Sequence, residues 1–408
     1  MSFEDPAVPV PPQELLRMRV SDPYPYFAWL RTHSPAYAER KADGRRVWHI
    51  SRYEDVAALL ADARLSKQPA LVPGYVPGPA GLNRHLVHAD PPDHTRLRRL
   101  LSKSFGPRRI AHLAPVIESA AHRLLDQVEG SVHIDVIADF AAPLTFRLIC
   151  TILGVPDHLD TPATRDTLMA TLLPAQYRPQ APGPAAGAAA ADGLHALLVT
   201  LVALKRTAGP SDDADLLAAL VQACDETGDM SEEELLSTAY LLLLVGHDTT
   251  MNLIGNGTLA LLSHPEQKAR WEQEPSLSPT AVEELLRYDS PVRDATFRAA
   301  AAPVELLGHT IGRGDIVNLL IGSANRDPAA FHDPDRLDVA RTPNDHLAFG
   351  YGPHFCIGAA LARLEGTLAL PLLLDRLGPV RLAKPAAELQ WRPARVMRGL
   401  IQLPLRRV

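Results

Sequence analysis

A single apolar segment dominates this chain of 408 residues and limits the folds open to it. Ser231 and Glu234 form a capping box, which predicts a helix that begins there and runs to about Ser263. Such a helix is long for a globular protein, in which the mean is about 11–12 residues. Because it is apolar on nearly all sides, we expect it to be buried.

The middle of this helix is polar, from Gly246 to Asn252. A glycine followed by polar side chains weakens the hydrogen-bond ladder, and the Thr249 hydroxyl can bond the carbonyl one turn back. One interpretation is a structural kink whose hydroxyls are satisfied locally. The other is a cleft lined by an acid, Asp248, and an alcohol, Thr249, that moves protons to something bound beside the helix.

Composition argues against several classes of protein. The 41 Lys and Arg against 47 Asp and Glu give a net charge of −6, whereas nucleic-acid-binding domains usually carry a basic excess. The three widely spaced cysteines do not indicate a disulfide framework and favour a reducing, cytoplasmic setting. The N-terminus lacks the features of a signal peptide, and the most apolar stretch, 239–245, is far shorter than the roughly 20 residues that cross a bilayer. We therefore expect neither a nucleic-acid partner nor membrane association.

Helical periodicity covers most of the chain, and strand patterns are few. We predict one domain over 1–408, mainly α with a smaller β lobe, whose residues 1–22 form an extended N-terminal segment. A Pro- and Gly-rich loop at 66–87 is typical of binding loops or lids, and 181–191 is predicted to be a mobile connection that forms a lid. The predicted helices are 26–33, 53–62, 93–104, 107–128, 139–153, 160–172, 188–206, 211–227, 231–262, 279–288 and 357–377, and the predicted strands are 46–50, 304–307, 310–311 and 316–321.

The decapeptide from Phe349 to Gly358 contains three glycines, one proline and Cys356. The glycines predict a tight turn, and Cys356 directly precedes a predicted helix, whose N-terminal end favours a thiolate. A zinc site would need further ligands at short spacing, and a dinucleotide site would need a βαβ unit. A catalytic nucleophile with a histidine base stays open, beside a single thiolate bound axially to haem iron.

The chain resembles the cytochrome P450 family, in particular its soluble bacterial members, from about Pro23 to its end. The family's F-G-x-G-x-H-x-C-x-G pattern is complete around Cys356. Its E-x-x-R pattern matches Glu284 and Arg287, and its small-Gly-x-acid-Thr-Thr pattern matches 245–250, with a valine where the family usually has Ala or Gly. The three motifs in this order make the resemblance specific.

The resemblance implies the P450 fold, with haem b between the long central helix and the cysteine-loop helix, and Cys356 as the iron ligand. It also implies that Glu284 and Arg287 pair in a buried structural cluster with an arginine from a later segment. We assign Arg336 to that position, with Arg341 as the alternative. The residues that match propionate-binding positions of the family are His94, Arg98, Arg298 and His354.

By the same resemblance, Thr249 and Asp248 deliver protons to bound dioxygen through a relay. The two extra methyl groups of Val245 would crowd the space above the iron. An Arg293 side chain directed into the pocket would favour an anionic or carbonyl-bearing substrate, and one directed outward would not. The predicted substrate-pocket residues are Val245, Val292, Arg293 and Met397.

The implied enzyme is a haem-thiolate monooxygenase that inserts one atom of dioxygen into a small, largely apolar organic substrate. Analogy favours a hydroxylase or epoxidase of natural products, such as polyketides, macrolides, terpenes or steroids. We expect a cytoplasmic monomer that receives electrons from NAD(P)H through a ferredoxin reductase and a ferredoxin. The bases that are either solvated or form a docking face are Arg99, Lys103, Arg108 and Arg109.

Three alternatives to hydroxylation or epoxidation stay open at this point. They are oxidative ring coupling, a peroxide-driven peroxygenase, and a haem-binding sensor or carrier without turnover. Asp248 and Thr249 argue against the peroxygenase, because family members that oxidise fatty acids with peroxide commonly have Arg-Pro there.

Overall fold

The computed structural model describes residues 9–41, 44–74, 82–103, 105–159, 161–172, 185–209 and 215–408. Within these ranges the protein is mainly helical, which confirms the predicted fold class. The helices are α1 (Gln13–Met18), α2 (Tyr24–His33), α3 (Tyr53–Leu60), α4 (Asp93–Ser102), α5 (Pro107–Ala111), α6 (Ala114–Gln127), α7 (Ala142–Leu153), α8 (Pro162–Leu172), α9 (Ala185–Ala208), α10 (Leu216–Asp225), α11 (Glu232–Ser263), α12 (Pro265–Gln273), α13 (Ser278–Tyr288), α14 (Ile321–Ala324) and α15 (Ala359–Leu377).

The strands form small sheets. Five of them lie in the order β1-β2-β8-β5-β3, in which β2 and β8 are parallel and the other neighbours antiparallel. Three more pair antiparallel in the order β4-β10-β9, and β6 and β7 form an antiparallel hairpin where strands were predicted at 304–307 and 310–311. The strands are β1 (Ala36–Arg40), β2 (Arg46–Ile50), β3 (Leu65–Ser66), β4 (His133–Asp135), β5 (Ala299–Ala300), β6 (Val304–Leu306), β7 (His309–Ile311), β8 (Ile316–Leu319), β9 (Val380–Leu382) and β10 (Pro404–Arg407).

The chain divides into two compact units that alternate along the sequence. The first unit comprises Met1–Val76, Asn256–Cys356 and Gln390–Ile401, and it contains the five-stranded sheet and the hairpin. The second unit comprises Pro77–Gly255, Ile357–Leu389 and Gln402–Val408, and it contains the three-stranded sheet. The single P450 domain expected from the sequence stays a prediction.

The part of α11 up to Gly255 lies in the second unit and is largely buried there, as its apolar sequence predicts. Its residues from Leu235 to Leu243 join a core shared with α7, α9 and α10. Two glycines let α11 approach its neighbour closely, since a Cβ atom on Gly246 would lie 2.7 Å from Ile149 Cδ1 and one on Gly255 would lie 2.5 Å from Ile137 Cδ1. A larger side chain at either position would require the facing isoleucine side chain to move.

The stretch Val136–Leu153 is apolar over 18 residues, which is a longer apolar segment than the sequence analysis identified. By length and composition alone it could cross a membrane. However, 67% of it is buried inside the protein, and core helices of soluble proteins pass the same test. It begins as a π-helix over Val136–Ala141 and continues as α7.

Several predicted boundaries were wrong. Residues 1–22 are not all extended, because α1 begins directly after Pro12, and proline is compatible with the start of a helix. The predicted helix 107–128 is divided into α5 and α6, since Pro115 begins a new first turn. Helix α12, with Pro265 at its first position, was missed, and α15 begins two residues later than predicted.

The E-x-x-R pair is fully buried in the first unit. Arg287 donates from Nε to Glu284 Oε2 at 2.7 Å and from Nη2 to Oε1 at 2.8 Å. Arg341 Nε lies 3.1 Å and 3.0 Å from the same two oxygens. Asn344 Nδ2 donates to Glu284 as well, at 3.2 Å. The carboxylate is therefore held between two guanidinium groups and an amide, which compensates its removal from water.

The assignment of Arg336 to this cluster was wrong, and Arg341 takes its place. The main chain at residue 336 turns its carbonyl toward the cluster, where it accepts from Arg287 Nη2 at 3.2 Å and from Arg341 Nη2 at 3.0 Å. With the carbonyl facing inward, the Arg336 side chain lies exposed. The sequence motif identifies the carboxylate and its helix neighbour, but this backbone turn selects the second arginine.

We predict that Arg341→Met lowers the free energy of unfolding by about 1–3 kcal/mol, because Glu284 loses a charged hydrogen-bond partner. Arg336→Met is the matched control, and it should change stability by less than about 0.5 kcal/mol, as expected for an exposed side chain. Denaturant unfolding of both variants checks this. Equal losses would contradict the assignment of Arg341.

Candidate active site

The Cys356 loop is a closed turn in the first unit. Gly350 and Gly352 have φ values of 75° and 73°, a region that favours glycine. The Cys356 amide donates to the Phe349 carbonyl at 2.8 Å, which closes the loop, and the cysteine is exposed. Gly352 also faces α3, where an added Cβ would lie 3.0 Å from Ala61 Cβ. Gly350 and Gly352 are therefore needed for the turn, and Gly352 is also needed for the packing of the turn against Ala61.

The polar middle of α11 separates into two environments. Val245, Gly246 and Thr249 are partly exposed, whereas His247 and Asp248 are fully buried. Thr249 Oγ1 donates to the Val245 carbonyl at 2.7 Å, as anticipated. The helix is nevertheless continuous from Glu232 to Ser263, so the structure shows no break that would support the kink interpretation.

Two buried contacts fix this part of α11, and sequence reasoning missed both. His247 Nδ1 lies 2.8 Å from Thr145 Oγ1 on α7, and Thr145 in turn donates to the Ala141 carbonyl at 2.9 Å. Asn252 Nδ2 donates to Asp248 Oδ1 at 3.4 Å. The spacing of four residues between Asp248 and Asn252 could have indicated the second contact, but nothing in the sequence connects His247 with Thr145.

The predicted propionate-binding residues lie two in each unit. His94 is buried on α4 of the second unit, and Arg98 follows one turn later, partly exposed. In the first unit, His354 is partly exposed within the cysteine loop. Arg298 of the same unit is 3% exposed.

The surroundings of Arg298 show whether the residues present are compatible with a bound haem. Its Nη1 donates to the Thr296 carbonyl at 3.0 Å. Burial lowers the pKa of Arg298 to about 10, and no carboxylate among the described residues counteracts this shift. A buried guanidinium in such surroundings fits an added anion, and a haem propionate is one.

The predicted pocket residues in the first unit lie together in part. Val292 and Met397 are paired by an isolated antiparallel β-bridge, and both are partly exposed. Arg293 lies beside them, but its Nη1 donates to the Arg19 carbonyl at 2.9 Å and its Nη2 to the Arg395 carbonyl at 2.9 Å. Its Nε contacts Asp294 at 3.3 Å. The prediction of Arg293 as a substrate ligand is corrected, because backbone carbonyls and a carboxylate already take its donors.

Parts of the predicted loops lie outside the described residues. In the 66–87 loop this applies to 75–81, and in the 181–191 connection it applies to 181–184 and to the side chains of 185–191. The side chain of Arg108 also lies outside the described residues.

The remaining predicted pocket residue, Val245, packs against the apolar core of the second unit.

Comparisons with known proteins identify the family. The chain matches the family described as Cytochrome P450 over residues 23–378. It is 41% identical over 386 residues to "Cytochrome P450 107B1" of Saccharopolyspora erythraea, covering 91% of this chain and 92% of the relative. The chain belongs to the cytochrome P450 family.

Two further similarities extend the comparison. This P450 is 38% identical over 381 residues to "Mycinamicin IV hydroxylase/epoxidase" of Micromonospora griseorubida, covering 92% of this chain and 93% of the relative. Its structure resembles that of "The cytochrome P450 enzyme CxnD for C-S bond formation in chuangxinmycin biosynthesis", with a TM-score of 0.87 and 36% identity. The match covers 99% of this chain and 100% of the other. The enzyme is therefore a haem-dependent monooxygenase, as the sequence motifs predict.

Helix α15 carries one buried acid outside these motifs, Glu365. It is 1% exposed, and its Oε2 atom has no hydrogen-bond partner among the described residues. Burial raises the pKa of Glu365 well above its usual range. The folded protein therefore holds this proton to a higher pH than the unfolded chain does.

We predict that Glu365→Gln, which keeps the shape of the neutral acid, becomes increasingly stable relative to the wild type as pH rises from 5 to 8. The stabilisation from the bound proton is complete below the pKa of the unfolded carboxyl and declines as pH rises toward the raised folded pKa. Glu388→Gln, at an exposed acid, is the control and should show no such trend. Unfolding measured in urea at several pH values checks this, and a constant difference would contradict it.

Proposed function

We propose that this P450 hydroxylates or epoxidises a largely apolar natural product of the polyketide or macrolide class. The observation that carries this is the chemistry of the predicted pocket residues in the first unit. Val292 and Met397, which are joined by a β-bridge, are apolar and partly exposed, whereas the Arg293 guanidinium is bound to backbone carbonyls. An apolar lining fits a substrate with few charges. The mycinamicin IV hydroxylase/epoxidase, which this chain matches over nearly its whole length, supports the same substrate class.

In this proposal Cys356 holds the iron of haem b, and the propionates are bound by His94, Arg98, Arg298 and His354. The closed turn around Cys356 and the exposed sulfur suit this role. Buried Arg298 supplies a positive charge that no carboxylate in the described ranges neutralises. When bound, a thiolate-ligated haem supplies the activation of dioxygen.

Thr249 and Asp248 are proposed to handle protons. Because the Thr249 hydroxyl donates to Val245, its oxygen lone pairs are left to accept a hydrogen bond from a water or a protonated group. Asp248 is fully buried next to Thr249 and is oriented by Asn252, and we assign it the acid role in the proton relay. The Val245 side chain narrows the partly exposed side of α11 and thereby restricts which substrates approach Thr249.

Electrons are proposed to come from NAD(P)H through a ferredoxin reductase and a ferredoxin in the cytoplasm, with the P450 as a monomer. Arg99, Lys103 and Arg109 are exposed in the second unit. Exposed cations of this kind suit an acidic iron–sulfur protein, because charge complementarity accelerates association.

A second candidate function is oxidative ring or bond formation. The specific observation in its favour is the similarity to CxnD, the P450 for C–S bond formation in chuangxinmycin biosynthesis. The same proton-handling residues and pocket serve both reactions, so product analysis separates them.

The substrate class is tested by optical titration of the purified protein with macrolide and linear polyketide scaffolds. The reduced protein is first exposed to carbon monoxide, and the red-displaced Soret band of a thiolate-ligated complex checks Cys356. We expect at least one apolar scaffold to shift the spin state of the ferric haem and to yield a product that contains one additional oxygen atom. Binding restricted to carboxylate-bearing ligands would contradict the apolar pocket, and a product that has lost hydrogen without gaining oxygen would favour ring formation.

We predict that Thr249→Ala uncouples the enzyme. Product per NAD(P)H should fall by at least about tenfold while peroxide release rises, because a positioned proton donor typically contributes about 10²–10⁴-fold. Thr249→Ser keeps the hydroxyl and should remain largely coupled. The measurement is the ratio of product and peroxide to NAD(P)H consumed, and an unchanged ratio in the alanine variant would refute the role.

A further inference from the structure

A cavity of about 460 Å³ lies in the first unit, and none of the residues assigned above to the haem or to the substrate lines it. The start of α2, the last two turns of α11, the end of α13 and the segment after α14 form its walls. Its size falls within the range of small-molecule sites, about 300–1,000 Å³. The lining of this α2–α11 cavity includes Asp22, Ala28, Asn256, Leu259, Asp289 and Asp335.

Asn256 of α11 brings a buried acceptor to the cavity. The residue is 2% exposed, and its Nδ2 donates to the Arg398 carbonyl at 3.0 Å and to the Asp289 carbonyl at 3.4 Å. These two bonds fix the orientation of the amide, and Oδ1 has no hydrogen-bond partner among the described residues. Because an unsatisfied buried acceptor is costly, Oδ1 fits a ligand that donates a hydrogen bond.

Asp289, which directly follows α13, adds a second acceptor. Its Oδ1 accepts from the Tyr24 hydroxyl at 2.7 Å and from Arg398 Nε at 2.5 Å, whereas its Oδ2 accepts no hydrogen bond within the described part of the chain. The Tyr24 proton and the amide protons of Asn256 are thus used inside the protein. The oxygens beside them stay open to an external donor.

The charges on the lining favour a cation. Two of its three carboxylates are paired with arginines, since Asp289 contacts Arg398 at 2.5 Å and Asp335 contacts Arg326 at 3.2 Å. Asp22 takes part in no ion pair in the described ranges, and its Oδ1 accepts from a backbone amide at 3.2 Å. One negative charge therefore remains uncompensated on the cavity wall, which favours a monovalent cation.

The rest of the wall is partly apolar, with Ala28, Leu259 and Ala260 among its residues. Such a surface favours an organic cation over a metal ion, because hard metal ions are surrounded by oxygen ligands. An alkyl group can lie against these side chains while its charged end faces the open oxygens.

We propose that the α2–α11 cavity binds a small alkyl cation whose charged group donates N–H hydrogen bonds. The charged group bonds Asn256 Oδ1 and Asp289 Oδ2 and is attracted by Asp22, and the alkyl part contacts Leu259. The site uses none of the residues assigned to oxygen activation, so it goes beyond the proposed function.

A cavity that holds only water is the rival explanation. Water also donates to open oxygens, and buried waters commonly satisfy such groups. The two explanations differ in one respect, because only the cation site depends on the charge of the ligand and of Asp22.

The test is a calorimetric titration of the purified holoenzyme with n-butylguanidinium chloride. n-Butylurea is the uncharged analogue of nearly the same shape. A guanidinium group stays protonated in proteins and is a donor only, so it does not ligate the haem iron. We expect one equivalent of the cation to bind, and the urea to bind about tenfold more weakly or less, as for the loss of a charged hydrogen bond. Equal affinities, or no binding of the cation, would overturn the proposal.

Two variants locate the binding. Asp22→Asn should weaken n-butylguanidinium binding about fivefold or more, since a unit charge a few ångströms away contributes this much even in water. Ala28→Trp, at an exposed position of α2, should fill the cavity and abolish binding. Asp345→Asn, at an exposed acid of the first unit that does not line the cavity, is the matched control and should bind like the wild type. Unchanged binding in either cavity variant would contradict the site.

Salt separates an organic cation from a metal ion. Potassium chloride and lithium chloride at equal ionic strength should weaken n-butylguanidinium binding equally, because both act only by screening. Displacement by potassium but not by lithium would overturn the proposal in favour of a metal-ion site.

Discussion

The Cys356 loop depends on a buried ion cluster in the first unit. Glu284 is bonded by Arg287 and Arg341, and Arg287 extends from the cluster to the Asn325 carbonyl at 2.8 Å. The Asn325 side chain then accepts from the Leu347 amide at 2.7 Å, and the Leu347 carbonyl accepts from Gly350 at 2.8 Å. A continuous set of hydrogen bonds therefore runs from one buried carboxylate to the turn that presents the cysteine. Since removal of one partner from a buried ion pair leaves an uncompensated charge, this arrangement tolerates little change.

In the second unit, the main structural constraint is the placement of polar side chains within the apolar helix α11. Helix α11 lies close to α7 because Gly246 and Gly255 have no side chain to separate them. The contact of His247 with Thr145 then fixes the rotation of the helix, so that Asp248 is buried and Thr249 is partly exposed. The valine at position 245 departs from the usual small residue of the family, and it lies on the same partly exposed side as Thr249.

One buried cation of the first unit, Arg298, bears on the proposed cofactor site. Arg298 is buried, and no carboxylate in the described part of the chain counteracts the lowering of its pKa by burial. Buried charges are normally paired, so such an arrangement is intelligible when the missing anion belongs to a bound group. In this view the cofactor is part of the electrostatic balance of the protein as well as the source of its chemistry.

The amino-acid sequence determined the family, the mainly helical fold and the chemically active residue types, because glycine spacing, the cysteine and the E-x-x-R pair are local patterns. It could not determine which arginine completes the Glu284 cluster, since Arg336 and Arg341 are equally basic and only the backbone turn decides which side chain faces inward. Nor could it determine that Arg293 is bound to backbone carbonyls of residues 19 and 395, which are distant in sequence. The contact of His247 with Thr145 is of the same kind, because burial and the direction of a side chain arise only when separate segments pack together.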